Sequence, residues 1–369
     1  MSENKTIAVL GAGHGGCAAA ADLTARGYSV QLHARRAATL APLRAAGGIA
    51  AKGVQNGTYT PSIMTTDVAE AVAGADLIML VVPSVAHKSY AEALAPLIDG
   101  SVPVFLNPGH TGGALHFLKE LRAAGYEGDI PLCETTSLTY ITRMEGPAEV
   151  GIYSYTKRQR FAALPAKHTD TLYSVVNAIY PETIKASNVL ETGLANMNAV
   201  FHPTGMLMNT GWLERTDGGF LFYKEGITEG VGRATRCVDD ERLAVAEALS
   251  TPALPFLDSF LRAGLTTQAA YDTGSIATAC EQSEPNKTIS CPPSLDHRYI
   301  HEDVGYGLVP FAAFGELACV PTPTISALVQ IAVAATGIDY GRDGLTLDKM
   351  GLTGLTADAL VRFVETGKA

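Results

Sequence analysis

A glycine-rich turn near the N-terminus limits the possible folds of this chain more than any other stretch. Gly11, Gly13 and Gly16 have the G-x-G-x-x-G spacing, after a short apolar strand and before an alanine-rich helix that starts at Cys17. Gly11 permits a tight turn, Gly13 lets the backbone approach a pyrophosphate, and Gly16 lets the helix lie close to the sheet. The stretch predicts a dinucleotide-binding α/β domain, although a strand–helix turn without a ligand is the alternative. We assign five residues to the cofactor site: Gly11, Gly13, His14, Gly15 and Gly16.

Composition excludes several other classes of protein. The 369 residues, 47% of them hydrophobic and 17% charged, suffice for two domains with separate cores. A net charge of −10 argues against nucleic acid or an acidic membrane as the main partner. The six cysteines include no C-x-x-C pair, which favours reduced thiols in the cytoplasm and predicts no metal site. The residues before the first strand leave no room for a signal peptide, and no apolar run reaches the roughly 18 residues of a membrane span.

The end of the second predicted strand, Ser29–His33, bears on the choice of cofactor. In NAD-binding folds, an acidic residue often accepts hydrogen bonds from the ribose there. This chain instead continues with Ala34, Arg35 and Arg36. Because guanidinium groups bind phosphate oxygens bidentately, we predict that the two arginines favour NADPH over NADH. The alternative is that they are only the solvated start of the next helix.

Further ligand contacts are expected where the later strands end. In open α/β sheets, ligands bind beside the carboxyl ends of the strands. We therefore assign Val82, Pro83 and Asn107, which end two apolar strands, to the nicotinamide end of the cofactor site. Pro83 has an alternative role as an ordinary strand terminator. Val150–Tyr155 and Arg160–Leu164 are predicted to form an antiparallel hairpin at the edge of the same sheet.

The pattern changes to helical spacing from Asn188 onward, which predicts a first domain over 1–186 and a mostly helical second domain over 187–369. Val189–Asn209 is predicted as one long helix, broken or started again near Pro203. Phe220–Cys237 and Asp239–Leu249 are predicted as two more helices. The acidic residues at 239–241 would then lie in a first helical turn, where the dipole favours them.

Two stretches of the second half can supply acid–base chemistry. Asn198 and His202 are four residues apart and share one face of a helix. Arg298, Glu302 and Asp303 belong to a charged stretch in a lightly charged chain. Histidine is the usual acid/base near neutral pH, and a carboxylate on its other nitrogen fixes the tautomer and favours the imidazolium. Spacing alone does not show that these residues meet, and a core histidine with a solvated loop is the alternative.

In the order of its motifs, the chain resembles the opine dehydrogenase family. The resemblance covers nearly the whole chain. It includes the glycine turn, Asn107-Pro-Gly109, the stretch from Glu134 to Arg143, Asn198-x-x-x-His202-Pro203, Tyr223-x-Glu225-Gly-Ile-Thr228 and His297-Arg298-Tyr299-x-x-Glu302-Asp303-Val304. It implies an N-terminal Rossmann domain and a C-terminal all-helical opine dehydrogenase domain, with the active site in the cleft between them.

The resemblance also implies a reaction. Members of the family condense an α-keto acid, such as pyruvate, with the amine of an amino acid and reduce the imine with NAD(P)H. Carried over to this chain, His202 is the acid/base, Asp303 is its partner, and Arg298 binds a carboxylate. Asn198 would help to hold nicotinamide or substrate, and Arg143 is assigned to substrate binding. Some relatives have an aspartate in place of Ala34, which again points to NADPH, with NADH as a possible second donor. A homodimer is the family expectation.

Two other functions are compatible with the glycine turn. A ketopantoate or β-hydroxyacid-type reductase would place a lysine on the helix that enters the second domain, but Val189–Asn209 contains no lysine. A non-catalytic NADPH-binding protein would bind the cofactor without turnover. The set of His202, Arg298 and Asp303 favours an enzyme over this non-catalytic protein.

Overall fold

A computed structural model describes residues 5–368, which form two compact units. One unit consists of residues 5–192 and 363–368, and the other of residues 193–362. Residues 1–4 and 369 lie outside the described part of the chain. The expectation that no signal peptide precedes the first strand depends on residues 1–4 and therefore falls outside it. No helix within residues 5–368 has the length and apolar character needed to cross a membrane.

Strands are concentrated in the first half of the chain, whereas helices occur throughout. The strands are β1 (Thr6–Leu10), β2 (Ser29–His33), β3 (Ile49–Gly53), β4 (Gly57–Tyr59), β5 (Ile63–Thr65), β6 (Leu77–Leu80), β7 (Val104–Leu106), β8 (Leu132–Thr135), β9 (Tyr140–Gly146), β10 (Glu149–Tyr155), β11 (Gln159–Leu164) and β12 (Thr183–Lys185). The helices are α1 (His14–Ala25), α2 (Ala37–Ala45), α3 (Val68–Val72), α4 (His87–Leu94), α5 (Gly113–Ala123), α6 (Thr169–Ile179), α7 (Val189–Leu194), α8 (Met197–Met208), α9 (Thr210–Thr216), α10 (Glu229–Ala248), α11 (Phe256–Arg262), α12 (Gln268–Asp272), α13 (Ile276–Glu281), α14 (Arg298–Asp303), α15 (Val309–Leu317), α16 (Pro323–Thr336), α17 (Tyr340–Asp343) and α18 (Ala357–Thr366).

The first unit is built on an eight-stranded sheet of order β12-β11-β8-β7-β6-β1-β2-β5. Neighbouring strands are parallel except for β8 and β11. Every residue of β6 is buried, as expected for a parallel strand that is covered on both faces. Because parallel strands end at one edge, the glycine turn after β1 lies beside the ends of β2 and β6. The predicted Rossmann domain is confirmed.

A second, four-stranded sheet of order β4-β3-β10-β9 corrects the predicted hairpin. The predicted strands Val150–Tyr155 and Arg160–Leu164 both form, but they do not pair with each other. The first lies in β10 and pairs with β9 and β3, whereas the second lies in β11 and pairs with β8 and β12. The cause is β9, which was not predicted and which reaches β10 through a tight turn. The residues from Phe161 to Leu164 are all buried, as expected inside the large sheet.

Asp22, within α1, joins this helix to the second sheet. Its side chain is fully buried and accepts hydrogen bonds from the hydroxyls of Tyr140 (2.9 Å) and Tyr155 (2.8 Å). The amide of Gln55 also donates to it at 2.8 Å, and Arg26 pairs with it at 3.2 Å. The buried carboxylate thus has several hydrogen-bond donors and a positively charged partner, which compensate for its removal from water. Because α1 starts at the glycine turn, this cluster also helps to position the turn.

The first unit extends beyond residue 186, where the sequence pattern places the domain boundary. Arg160 on β11 pairs with Glu191 at 3.2 Å. The hydroxyl of Thr192 donates a hydrogen bond to the carboxyl group of Glu134 at the end of β8. These two contacts explain why residues 187–192 pack with the first unit.

The second unit consists of α8 to α17 with parts of α7 and α18, which confirms a helical second domain. The predicted helix Val189–Asn209 is present as α7 and α8, but its break lies at residues 195–196 and not near Pro203. Asn196 interrupts the helix with a non-helical ψ of 89°. Pro203 lies inside α8, where its missing N–H removes one backbone hydrogen bond.

Helix α10 corrects the prediction for Phe220–Leu249. A π-type turn occupies Phe222–Gly226, and α10 then continues through residues 239–241, so these acidic residues are not in a first turn. Asp239 pairs with the buried Arg242 at 2.6 Å and accepts the first backbone N–H of α11 at 2.7 Å. Glu241 accepts two backbone N–H groups at the start of α16. These two carboxylates therefore cap neighbouring helices rather than their own helix.

Candidate active site

The glycine turn of the first unit has room for a phosphate group. Gly11 has a φ of 116° and donates its N–H to the carbonyl of His33 at 3.0 Å. A Cβ at Gly16 would lie 1.7 Å from the carbonyl oxygen of Gly11, so only glycine lets the helix approach this closely. Around Gly13, no described atom other than those of Gly13 and its two neighbours in the chain lies within 4 Å of the position that a Cβ would take. This open space lies at the N-terminus of α1, and the arrangement fits an anionic dinucleotide.

Four other predicted cofactor residues surround this turn. His14 is exposed as the first residue of α1, whereas Gly15 packs closely against other side chains. Arg35 and Arg36 are both exposed and directly follow the end of β2. Arg36 is also the N-cap residue of α2. The two guanidinium groups are thus accessible beside the turn.

Val82, Pro83 and Asn107 differ in how open they are to a ligand. Pro83 is exposed, and Val82 is half-buried and close to Gly11. Asn107 is fully buried, and its amide exchanges two hydrogen bonds with Thr139, at 2.9 Å and 3.1 Å. The Asn107 side chain therefore holds the start of β9 beside β7, and its contact with a cofactor stays a prediction.

Glu134, which the sequence analysis did not assign to a site, is a buried carboxyl group at the same edge of the sheet. It accepts the N–H of Ala114 at the start of α5, at 2.9 Å, and the hydroxyl of Thr192. Burial raises the pKa of Glu134 to about 8. The sequence signal that could have identified it is a carboxylate at the carboxyl end of an otherwise apolar strand.

His202 and Asp303 meet in the second unit, as the sequence analysis predicted from the family resemblance. Nδ1 of His202, on α8, lies 2.8 Å from a carboxylate oxygen of Asp303, the last residue of α14. Their side chains are only 6% and 4% exposed. Because an ionised carboxylate can only accept, the Nδ1 atom carries the proton, and Nε2 carries the lone pair of the neutral ring.

Two tyrosines complete the surroundings of the imidazole, and sequence reasoning missed both as site residues. The ring of Tyr299 stacks on that of His202, with centroids 3.6 Å apart and planes 11° apart. The hydroxyl of Tyr223 lies 3.3 Å from Nε2. Both tyrosines occur in the motifs that carry the family resemblance, but an aromatic residue in a motif is equally compatible with the core. Together with Asp303, they fix the orientation of the ring.

Electrostatics favour a neutral imidazole in the free protein. Burial lowers the pKa of His202 below its usual value of 6.5. Asp303 raises the pKa, but the net shift is downward, with burial as the largest single cause. The carboxylate therefore fixes the tautomer, as expected, without making the imidazolium the favoured form. A neutral, oriented histidine is ready to accept a proton at Nε2.

Of the three predicted substrate-binding residues, two lie in the second unit and one lies in the first. Arg298 is in the first turn of α14, 60% exposed, and pairs at 2.8 Å with Glu302. Asn198 is half-buried on α8, one turn before His202. Arg143 belongs to the first unit, where it is exposed on β9. The structure thus brings Arg298 and Asn198 onto the two helices that carry the histidine pair, and the role of Arg143 stays a prediction.

Comparisons with known proteins agree with the two types of domain in this fold. Residues 185–336 match the family model of the NAD/NADP octopine/nopaline dehydrogenase alpha-helical domain. Residues 6–120 match the model of the NAD-dependent glycerol-3-phosphate dehydrogenase N-terminus. Over 99% of its length, the chain is 37% identical to an opine dehydrogenase of Arthrobacter sp. (strain 1C), of which it covers 100%.

Solved structures show the same fold over almost the whole chain. A structure of octopine dehydrogenase in complex with NADH and agmatine matches with a TM-score of 0.80 and 20% identity, over 99% of both chains. A structure of yersinopine dehydrogenase with NADP⁺ bound matches with a TM-score of 0.74 and 17% identity, over 98% of both chains.

The fold and the site thus define an NAD(P)-dependent oxidoreductase that acts on a CH–NH bond. The chain belongs to the opine dehydrogenase family. Its reaction is the reductive condensation of a keto acid with an amino acid.

Proposed function

We propose that this opine dehydrogenase uses His202 as its acid/base and NADPH as its preferred hydride donor, with an α-keto acid such as pyruvate and an amino acid as substrates. The observation that carries the proposal is the buried pair of His202 and Asp303, 2.8 Å apart. It combines a histidine that is neutral at pH 7 with a carboxylate that stabilises the charged ring whenever a proton is taken up.

The proton steps follow from this pair. Neutral His202 takes a proton from the ammonium group of the amino acid, which frees the amine to attack the keto carbonyl. The imidazolium then gives the proton to the hydroxyl group that leaves as water when the imine forms. Asp303 stabilises the imidazolium between these steps. NADPH, when bound, supplies the hydride for the imine carbon. The low exposure of both side chains keeps bulk water away from the reacting groups.

Arg298 is the proposed anchor for a substrate carboxylate. Glu302 occupies one part of its guanidinium fork, and the 60% exposure of the arginine leaves other N–H groups accessible. Asn198 is proposed to help hold nicotinamide or substrate, because it faces the same way along α8 as His202. Arg143 is proposed as a further substrate contact.

The preference for NADPH is supported by the two exposed arginines after β2. The chain has no carboxylate at the end of this strand to bind a ribose 2′-hydroxyl, and buried Ala34 is followed by Arg35 and Arg36. Replacing both arginines with alanine should raise the KM for NADPH far more than that for NADH. Equal effects on both cofactors would refute the preference.

The experiment that tests the proposed function is NADPH oxidation by the purified protein with pyruvate or glyoxylate, with and without a panel of amino acids and amines. We expect oxidation to require the keto acid and the amine together, and the best amine then defines the second substrate. His202→Ala should bind NADPH but lose turnover. Oxidation with the keto acid alone would instead identify a hydroxyacid reductase.

We also propose a cytoplasmic homodimer. The six cysteines are all free, which is compatible with a reducing compartment. Light scattering on the purified protein tests the oligomeric state, and a monomer would contradict it.

A further inference from the structure

One face of the His202 imidazole is covered by the ring of Tyr299. The two ring centroids are 3.6 Å apart and the ring planes are inclined by only 11°, so the imidazole lies flat against the face of the phenol ring. Phe201, Phe222 and Tyr223 also contact the imidazole, but their planes are inclined to it by 53°, 63° and 76°. The stack with Tyr299 uses the face of the imidazole and therefore neither of its nitrogens.

Tyr299 is held in this position by its neighbours. Its backbone N–H donates a hydrogen bond of 3.2 Å to Nδ1 of His297, the N-cap residue of α14. The ring of His297 meets that of Tyr299 at 87°, with centroids 4.7 Å apart, and the Phe222 ring packs against it at 5.4 Å. The stack thus depends on the start of α14, the helix that carries Asp303 at its other end.

The stacked geometry has an electrostatic consequence. The face of an aromatic ring is electron-rich and attracts a cation that lies within about 6 Å of the ring centroid. The imidazole of His202 lies well inside this range and is a cation when it is protonated. Because His202 is only 5% exposed, water screens the attraction weakly. The ring of Tyr299 therefore stabilises the charged imidazolium more than the neutral imidazole.

Other ionisable groups also act on the imidazole. Asp303 and Glu302 favour its charged form, whereas Arg298 and burial oppose it. The hydroxyl of Tyr223 lies 3.3 Å from Nε2. Burial lowers the pKa of the neighbouring His297, so this second imidazole adds no positive charge at pH 7. The stacked ring is an uncharged contribution beside these groups, and a substitution can remove it without changing any of the charges.

We propose that Tyr299 is a positioning residue that stabilises the imidazolium form of His202 through the face of its ring. In the proposed mechanism, His202 takes a proton from the amino acid and holds it until the hydroxyl group leaves as water. The stack stabilises this charged state and does not compete with the substrate for Nε2. The inference rests on the proposed acid/base role of His202, but the charged state itself can be measured without turnover.

The test measures the pKa of His202 by NMR in the free protein, with His202→Gln to assign its signal. Tyr299→Phe keeps the aromatic face and should leave this pKa within about 0.3 units of the wild type. Tyr299→Leu should lower it by about 0.4 to 1.5 units, the shift that corresponds to the loss of a cation–π contact. A ring that only excluded water would give the opposite sign, because a smaller side chain would weaken the effect of burial.

A variant of unchanged size makes the test independent of packing. Replacing Tyr299 with pentafluorophenylalanine keeps a ring of similar shape but makes its face electron-poor, so the pKa of His202 should fall at least as far as in Tyr299→Leu. This variant also decides the question if Tyr299→Leu does not fold. Tyr271→Leu is the matched control, since this half-buried tyrosine lies on α12 beside Asp258, and it should cause no shift. An unchanged or raised pKa in the fluorinated variant would overturn the proposal.

Kinetics separate this proposal from the proposed function. The pKa on the acidic side of the pH profile of kcat/KM reports the base in the free enzyme. In Tyr299→Leu, it should fall together with the pKa of His202 measured by NMR. If the NMR value falls while the kinetic value stays, the stack stabilises the imidazolium as proposed, and the acid/base role of His202 fails. If the kinetic value falls while the NMR value stays, the stabilising role of Tyr299 fails.

Discussion

Asp22 and Asp303 are both buried helical aspartates, but their partners differ in kind. Asp22, in the first unit, is 0% exposed, and Asp303, in the second unit, is 3% exposed. The Asp22 carboxylate is bonded to four side chains, those of Arg26, Gln55, Tyr140 and Tyr155. The Asp303 carboxylate is bonded to His202.

The difference shows that burial alone does not identify a functional carboxylate. The four groups that donate hydrogen bonds to the Asp22 carboxylate all keep their protons near pH 7. The cluster around Asp22 therefore stabilises the fold, and its net charge does not change near this pH. The partner of Asp303 can gain or lose a proton close to neutral pH, and the carboxylate sets which nitrogen does so. The chemistry of the partner therefore separates the two roles.

Asp303→Asn is expected to have the largest effect. An amide can donate as well as accept, so it no longer holds the proton of His202 on Nδ1. We expect kcat to fall roughly 10²- to 10⁴-fold, the range assigned to a general acid–base group. The KM for NADPH should change little, since the glycine turn is untouched. Steady-state kinetics with pyruvate and the best amine measure both values.

The control for this variant is Asp272→Asn, an exposed aspartate on α12 of the same unit, which should keep wild-type kinetics. If Asp303→Asn retained near-normal kcat, Asp303 would belong with Asp22 as a structural residue.

Asp22→Asn should act on stability instead. The amide offers one acceptor oxygen to the donors around it and loses the charge opposite Arg26. The free energy of unfolding should decrease by roughly 1–3 kcal/mol, as for the loss of a buried, charge-assisted hydrogen bond. The kcat of the folded protein should stay near that of the wild type. Urea unfolding followed by circular dichroism, together with initial rates, measures the two quantities.

Asp170→Asn removes an exposed partner of Lys185 from the same unit and is the matched control. It should change stability by no more than about 0.5 kcal/mol. An Asp22→Asn protein with wild-type stability and reduced kcat would remove the distinction between the two aspartates.

The same contrast explains which parts of the structure were predictable. The glycine turn and β2 were predicted because their signals are contiguous in the chain, and local spacing determines a strand, a tight turn and a helix. The Asp22 cluster was not predicted, because Tyr155 lies 133 residues from Asp22 in the chain and no local sequence pattern indicates that the two side chains meet. The hairpin prediction was wrong for a related reason. The local pattern identified β10 and β11 as strands, but it did not show that β10 pairs with β9 rather than with β11.

The histidine site was predictable only in part, unlike the glycine turn, which was predicted, and the Asp22 cluster, which was not. His202 and Asp303 are 101 residues apart, and only the resemblance to a family linked them. Tyr223 and Tyr299 were part of the quoted motifs, but a tyrosine side chain in a sequence does not show whether its ring packs in a core or its hydroxyl bonds to a histidine. Their roles required the three-dimensional arrangement of π-type turn, α8 and α14.

The smallest expected effect concerns the pH dependence of stability. Burial lowers the pKa of His202 in the folded protein below its usual value of 6.5. In the range between the folded and the unfolded pKa, the unfolded chain binds a proton that the folded protein does not bind. The free energy of unfolding therefore has its full value above the pKa of His202 in the unfolded chain, about 6.5. It decreases as the pH falls from there towards the pKa of His202 in the folded protein.

His202→Gln should flatten this decrease, because glutamine has no proton to bind in either state. Urea unfolding at several pH values from neutral downward measures the slope of the unfolding free energy. His168→Gln, at a half-buried position of the first unit, is the control and should leave the slope as it is in the wild type. A steeper decrease in His202→Gln than in the wild type would mean that Asp303 outweighs burial and keeps the histidine charged. The proposed mechanism would then have to begin from an imidazolium that donates its proton, not from an imidazole that accepts one.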